Sequence, residues 1–203
     1  MTAHLRRRDD GSVELRVNGV FVMDDVETSS EHVLADVALR HGARDVLVGG
    51  LGLGFTARAL VDGGARRVLV AELEPEVVQW FAAGRIAPGL ADEPRCEVVT
   101  GDVAEVVTGQ PPASWDAVLL DVDNGPDFLV HEHNAAVYRP EFLTVCRRRL
   151  RPGGLLAIWS MNRPPALVDA LREAFGAVEE LPVPVTLQTR PETYWILLAR
   201  AAG

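Results

Sequence analysis

The chain has 203 residues, of which 48% are hydrophobic, with a formal net charge of −9 and a pI near 5.0. That composition is enough for one substantial core, and the acidic balance argues against the basic face that marks a binder of phosphate backbones. All 20 basic residues are arginine, which excludes both a P-loop lysine and a lysine Schiff base.

Near the start, Arg6, Arg7 and Arg8 run into Asp9, Asp10 and Gly11, where a signal peptide needs an apolar core. No apolar run is long enough to span a bilayer, so the expectation is a cytoplasmic protein with neither membrane nor nucleic-acid partner. Cys96 and Cys146 stand far apart with no C-x-x-C spacing, which fits a reducing compartment. Residues 13–23, VELRVNGVFVM, are two β-branched runs around Asn18-Gly19. This is the pair that favours a type I′ turn, because both positions need positive φ, and it predicts a hairpin. Helical spacing follows over residues 32–40, with Ser29 or Ser30 available as N-cap.

From Arg44 onward, strand-like and helix-like segments alternate: RDVLVGG, FTARALVDGG, RRVLVAE, PEVVQWFAAGR, CEVVT, VAEVVTG, WDAVLLD, a helix over about residues 135–150, GLLAIWS, and a helix over about residues 165–175. Alternation of this kind predicts a parallel sheet covered by helices on both faces. The runs VLV, VLV and AVLL are continuously apolar, as strands buried on both faces should be. The last two strands, VEELPVPV and TYWILLAR, have no helix between them and predict an antiparallel finish.

Chemistry gathers at the strand ends. Gly50, Gly52 and Gly54 form G-x-G-x-G behind the first long strand, where ligands sit in an open α/β sheet. Phe55 occupies the last glycine position of a dinucleotide loop, so a nucleoside is favoured over a pyrophosphate. Glu72 ends the next strand, about 20 residues on, the distance at which an acid reaches ribose hydroxyls. Asp102 ends the third as either a helix N-cap or an acceptor for an adenine amino group. LLDVDNGPD, residues 119–127, places Asp121 at the fourth strand end, with Asp123 and Asn124 just beyond. His131 and His133 alternate with Glu132 but lack a third ligand at helical spacing, so loop or pocket lining is expected rather than a metal. Trp159, at a strand's carboxyl end, is a candidate pocket wall. The run Arg147-Arg148-Arg149-Arg151 reads as an ordinary solvated helix end.

These segments, in this order, resemble the spermidine and spermine synthases, aminopropyltransferases built on the class I S-adenosylmethionine methyltransferase fold. The matching stretches are VNGVFVM, VLVGGLGLGFTARAL, VLVAELEPEVVQW, CEVVTGDVAEVV, WDAVLLDVDNGP and VYRPEFLTVCRRRLRPGGLLAIWS. The resemblance implies an N-terminal β-hairpin region over 1–30 and a methyltransferase-like α/β domain over 31–203. It implies binding of S-adenosylmethionine or its decarboxylated form without a metal, a small-molecule acceptor such as an amine, and a homodimer. Gly50, Gly52, Gly54, Glu72 and Asp102 would hold the nucleoside, Asp121 would serve the transfer, and Asp123 and Asn124 would face the acceptor. The chain departs from the family pattern in four places. GGLGLG lacks the loop aspartate, Asn124 stands for the second aspartate of D-x-x-D, Val22 or Met23 stands for a glutamine, and Ser29 stands for a tyrosine. Two alternatives stay open: a small-molecule methyltransferase, and a dimer that binds a nucleoside without catalysis.

Overall fold

In a computed structural model the described residues are 2–122, 124–126, 128, 129, 131–187 and 190–203, with Glu132 and His133 described by backbone alone. Among them, three strands form an antiparallel N-terminal sheet: β1 (Ala3–Arg7), β2 (Val13–Val17) and β3 (Val20–Asp24). The β2–β3 hairpin turns on Asn18 and Gly19 at φ 52° and 80°, as the Asn-Gly pair requires. Strand β1 alternates only through Ala3 and Leu5, too short a pattern to announce it. It is an edge strand, paired with β2 from Ala3 opposite Val17 to Arg7 opposite Val13. Just beyond its end, Arg8 binds Glu14 and Asp24 at 2.7 and 2.8 Å.

The main sheet is built from β4 (Asp45–Gly49), β5 (Arg67–Glu72), β6 (Cys96–Thr100), β7 (Trp115–Leu120), β8 (Leu150–Ser160), β9 (Glu179–Leu187) and β10 (Arg190–Arg200). Its order is β6-β5-β4-β7-β8-β10-β9, with parallel pairs from β6 through β8 and β10 antiparallel to both neighbours. The expected α/β sheet with an antiparallel finish is therefore the observed one. Successive strand residues point to opposite faces, so each apolar run feeds two cores. Val46, Val48, Ala117 and Leu119 enter one core, and Leu47, Val118 and Leu120 enter the other.

Helices α1 (Ser29–Arg40), α2 (Phe55–Asp62) and α3 (Pro75–Ala82) cover the first face. Helices α4 (Val103–Thr108), α5 (Pro140–Arg149) and α6 (Pro165–Phe175) cover the second. Fully buried leucines such as Leu60 and Leu171 each contribute about 1.5–3 kcal/mol by leaving water.

Three details differ from expectation. Helix α1 begins at Ser29 behind Thr28, and Glu27 takes the Ser29 N–H at 2.9 Å, so a carboxylate outside the helix does the work expected of a serine cap. The single helix expected over 135–150 is a 3-10 helix (Glu132–Tyr138) followed by α5, because Pro140 has no N–H to continue the first and sits at the start of the second. The arginine run is not an idle solvated face. Arg147 donates to the Ala174 carbonyl at 2.7 Å in the last turn of α6, and Arg149 to the Thr108 carbonyl at 2.7 Å at the end of α4. Both cations thus satisfy carbonyls that a helix end leaves open. Among the described residues no helix is long and apolar enough to cross a membrane.

Candidate functional site

Loops leaving the carboxyl ends of β4, β5, β6 and β7 converge on one side of the sheet. The glycine loop comes first. Gly50 has φ 89°, and a Cβ there would run into the carbonyl of Asp121, so the loop after β4 and the loop after β7 touch through bare backbone. Gly50 N–H donates to the Ala71 carbonyl at 2.8 Å and Asp121 N–H to the Gly49 carbonyl at 2.9 Å, which ties both loops to the sheet. Gly50→Ala is expected to lower stability by about 2 kcal/mol or more, through strain and overpacking together. The denaturation midpoint in urea measures this. Gly52 at φ 54° is covered by Met23 from β3, whose sulfur would lie 2.5 Å from an added Cβ and accepts the Leu53 N–H at 3.2 Å. The N-terminal sheet therefore forms part of the site. Gly54 lies at the start of α2, with φ 88°.

Glu72, at the end of β5, is buried. Its two oxygens accept the N–H groups of Leu51 at 2.9 Å and Glu74 at 2.8 Å, which clamps the glycine loop to the β5 end. Burial pushes its pKa up, and those two N–H groups oppose the shift. Asp102 caps α4, accepting the Ala104 N–H at 2.7 Å. It also lines, with Gly50, Gly52 and Glu72, a narrow cavity of about 70 Å³. The five residues expected around a nucleoside are thus gathered at one end of the sheet, four of them around this space. Gly54 stays behind it as the α2 cap.

Asp121 leaves β7 half-buried, and Thr56 donates its hydroxyl to it at 3.1 Å. Burial, then the charge of Glu31, push its pKa up to about 7, while the Thr56 bond works in the opposite direction. Asp121 and Val122 line the narrow cavity and also a second, wide one of about 930 Å³, as does Val22 from β3. Asn124 lines the wide cavity, and its carbonyl accepts the Met161 N–H at 3.1 Å. Asp123 lies outside the described residues.

The wide cavity is walled by Trp159, as its place at a strand end led us to expect, and by residues that sequence reasoning did not single out. Asp24, Glu27 and Glu31 join Asp121 on its wall, and Trp159 and Tyr194 pack edge to face with centroids 4.9 Å apart. Arg190 and Glu192 also line it, and Arg8 and Arg16 reach it while each pairs with Glu14. Glu31 is nine-tenths buried, takes the Ser30 hydroxyl at 2.6 Å, and has its pKa raised chiefly by burial. A signal for it existed: with Leu34, Ala35 and Ala38 it lies on the buried stripe of α1, where a carboxylate is out of place unless it faces a polar space. The Tyr194 hydroxyl is pushed up to about 12, first by burial and then by the same carboxylates. His131 is buried in the wall of the narrow cavity, with Nε2 3.3 Å from Glu74 Oε1, so it lines a pocket and is not solvated. The His133 side chain lies outside the description.

No family model matches the chain. The chain is similar to the polyamine aminopropyltransferase of Mycobacterium tuberculosis, 36% identical over 152 residues that cover 70% of this chain and 28% of that one. The polyamine aminopropyltransferase of Nitrosomonas europaea is 30% identical over 180 residues, covering 81% of this chain and 52% of that one. The chain thus spans about half or less of the length of these curated relatives. A crystal structure of spermidine synthase in complex with the transition state analogue AdoDATO matches with a TM-score of 0.81. At 18% identity, that match covers 98% of this chain and 70% of that one. The expected class I methyltransferase-type fold is therefore the fold this chain shares with solved structures.

Proposed function

We propose, from the premise that this chain is a spermidine synthase-like homologue of the polyamine aminopropyltransferases, that it transfers an aminopropyl group from decarboxylated S-adenosylmethionine to an amine. The observation that carries the reading is the junction of the two cavities at Asp121. One is lined by glycines and acids of the kind expected around a nucleoside, and the other is wide, acidic and aromatic-walled. An amine acceptor reaches such a cavity as an ammonium, drawn by Asp24, Glu27, Glu31 and Asp121. It cannot attack until it loses a proton. Asp121, with its pKa held near 7, accepts that proton. The nitrogen lone pair then forms a bond to the carbon next to sulfur, the carbon–sulfur bond breaks, and its electron pair leaves with sulfur as a neutral thioether. No covalent enzyme intermediate is required, so in-line placement of nitrogen, carbon and sulfur across the junction supplies much of the rate.

Within this reading Gly50, Gly52, Glu72 and Asp102 hold the nucleoside, Gly54 shapes the loop as it enters α2, Asp121 is the base, and Asp123 and Asn124 face the acceptor. Methyl transfer from intact S-adenosylmethionine is the second reading. It draws support from the glycine loop itself, which carries leucines at positions 51 and 53 and contributes no aspartate of its own to repel the α-carboxylate of that molecule.

Titration calorimetry with both adenosyl compounds, followed by thioadenosine release over a panel of di- and polyamines, separates the readings. Aminopropyl transfer is expected to show tighter binding of the decarboxylated compound and amine-dependent release. Binding of intact S-adenosylmethionine alone would move the assignment to methyl transfer. Binding with no turnover on any acceptor would leave a nucleoside-binding protein, and no binding of either compound would end the proposal.

A further inference from the structure

The carboxylates around the narrow cavity differ in how their oxygens are occupied. Each Glu72 oxygen already accepts a backbone N–H, and Asp102 spends one oxygen on the first turn of α4. Glu74 is different. It stands at the N-cap position of α3, the natural place for a carboxylate to cap, yet its side chain makes no capping bond. Instead the side chain is turned inward, is 4% exposed, and lines the cavity, and among the described residues neither of its oxygens receives a hydrogen bond. A buried carboxylate with empty acceptor sites is costly by about 1–3 kcal/mol, more when charged, unless a donor arrives to fill them. His131, from the segment beyond β7, places Nε2 3.3 Å from Oε1 and so holds the carboxylate at the cavity wall. Asn134, buried on the same wall, adds a second polar group from that segment.

We propose that Glu74, steadied by His131, is a ligand-binding carboxylate of the nucleoside seat that accepts an N–H or O–H donor of the bound adenosyl group alongside Glu72. This deepens the reading above and rests on it. The donor is either a sugar hydroxyl or the 6-amino group of the base, and both present the same chemistry to Glu74. One carboxylate clamps the glycine loop while the other is free to read the ligand. Because His131 follows Asp121 in the chain, the contact also links the nucleoside seat to the wall that carries the base.

Calorimetry with 5′-methylthioadenosine, its 2′-deoxy and 3′-deoxy analogues, and the purine riboside lacking the 6-amino group tests this on wild type, Glu74→Gln and Glu74→Met. In wild type the analogue lacking the donor that Glu74 accepts is expected to bind about 10- to 100-fold more weakly than 5′-methylthioadenosine. In Glu74→Met that one difference is expected to shrink to about twofold, with Glu74→Gln between, while the other two analogues keep their wild-type ratios. Both variants are expected to melt close to wild type, since each removes a costly buried carboxylate but also its contact with His131. Equal loss for all four ligands in the variants, or all three ratios unchanged, overturns the proposal while leaving the proposed function standing. Failure of wild type to bind any of the four ends both together.

Discussion

Asp121→Asn is expected to lower the rate of thioadenosine release by about 10²–10⁴-fold, the range a positioned general base contributes. Binding of the nucleoside should stay within a few-fold of wild type. The two effects separate because the Asp121 side chain lies at the junction of the cavities, whereas Glu72 and Asp102 belong to the narrow one alone. The loss should appear in kcat as well as in kcat/KM, since proton removal belongs to the chemical step and not to ground-state binding. Stability supplies a control with a definite sign. The Asp121 carboxyl binds its proton more tightly in the folded chain than in the unfolded one. Its penalty is absent below about pH 4, grows as pH rises towards 7, and is constant above. At pH 8 the asparagine variant should therefore be more stable than wild type, by roughly 1–3 kcal/mol after allowance for screening in an open cavity. A variant both inactive and less stable at pH 8 would mean that Asp121 serves the fold, and its role as base would have to be abandoned.

The second large effect is a pH profile and its displacement. If Asp121 must be ionised to act, kcat/KM should rise about tenfold per pH unit up to a midpoint near 7 and level off above it. Glu31→Gln removes the like charge that stands second among the causes of the high Asp121 pKa, so the carboxylate form becomes easier to reach. The midpoint should move to lower pH, and the variant should gain on wild type in relative terms as the solution is acidified. Affinity for the amine should fall at the same time, because Glu31 is one of the carboxylates that attract it. A profile measured from pH 5 to 9 on both proteins decides the matter. An unmoved midpoint would show that Glu31 and Asp121 do not act on each other, and a midpoint moved upward would require a different base.

Much of the main sheet is readable from local chemistry, because strand and helix periods follow from backbone geometry and from the need to bury apolar faces. VLV and AVLL announce strands buried on both sides, Asn18-Gly19 announces a hairpin, and Asp102 announces a cap, and each is found in that place. Strand β1 was not readable, since an edge strand owes its place to pairing with β2 more than to its own short pattern. The split at Pro140 is readable from the sequence, because proline forbids the intrahelical bond at that position whatever surrounds it.

The candidate site divides along the same line. Its nucleoside half lies in short motifs at successive strand ends, and because parallel strands carry all their carboxyl ends to one edge, sequence order alone brings Gly50, Glu72, Asp102 and Asp121 together. The acceptor half comes from elements remote in the chain. Glu31 arrives on α1, Trp159 on β8, Tyr194 on β10 and Met23 on β3, and no spacing in the sequence relates them. What the residues determined by themselves is the α/β sheet and the line of acids and glycines along its edge. What only the tertiary structure decided is which side chains face one another across the cavities, including the turning of Glu74 away from its helix towards His131, because burial and long-range packing, not local propensity, set those directions.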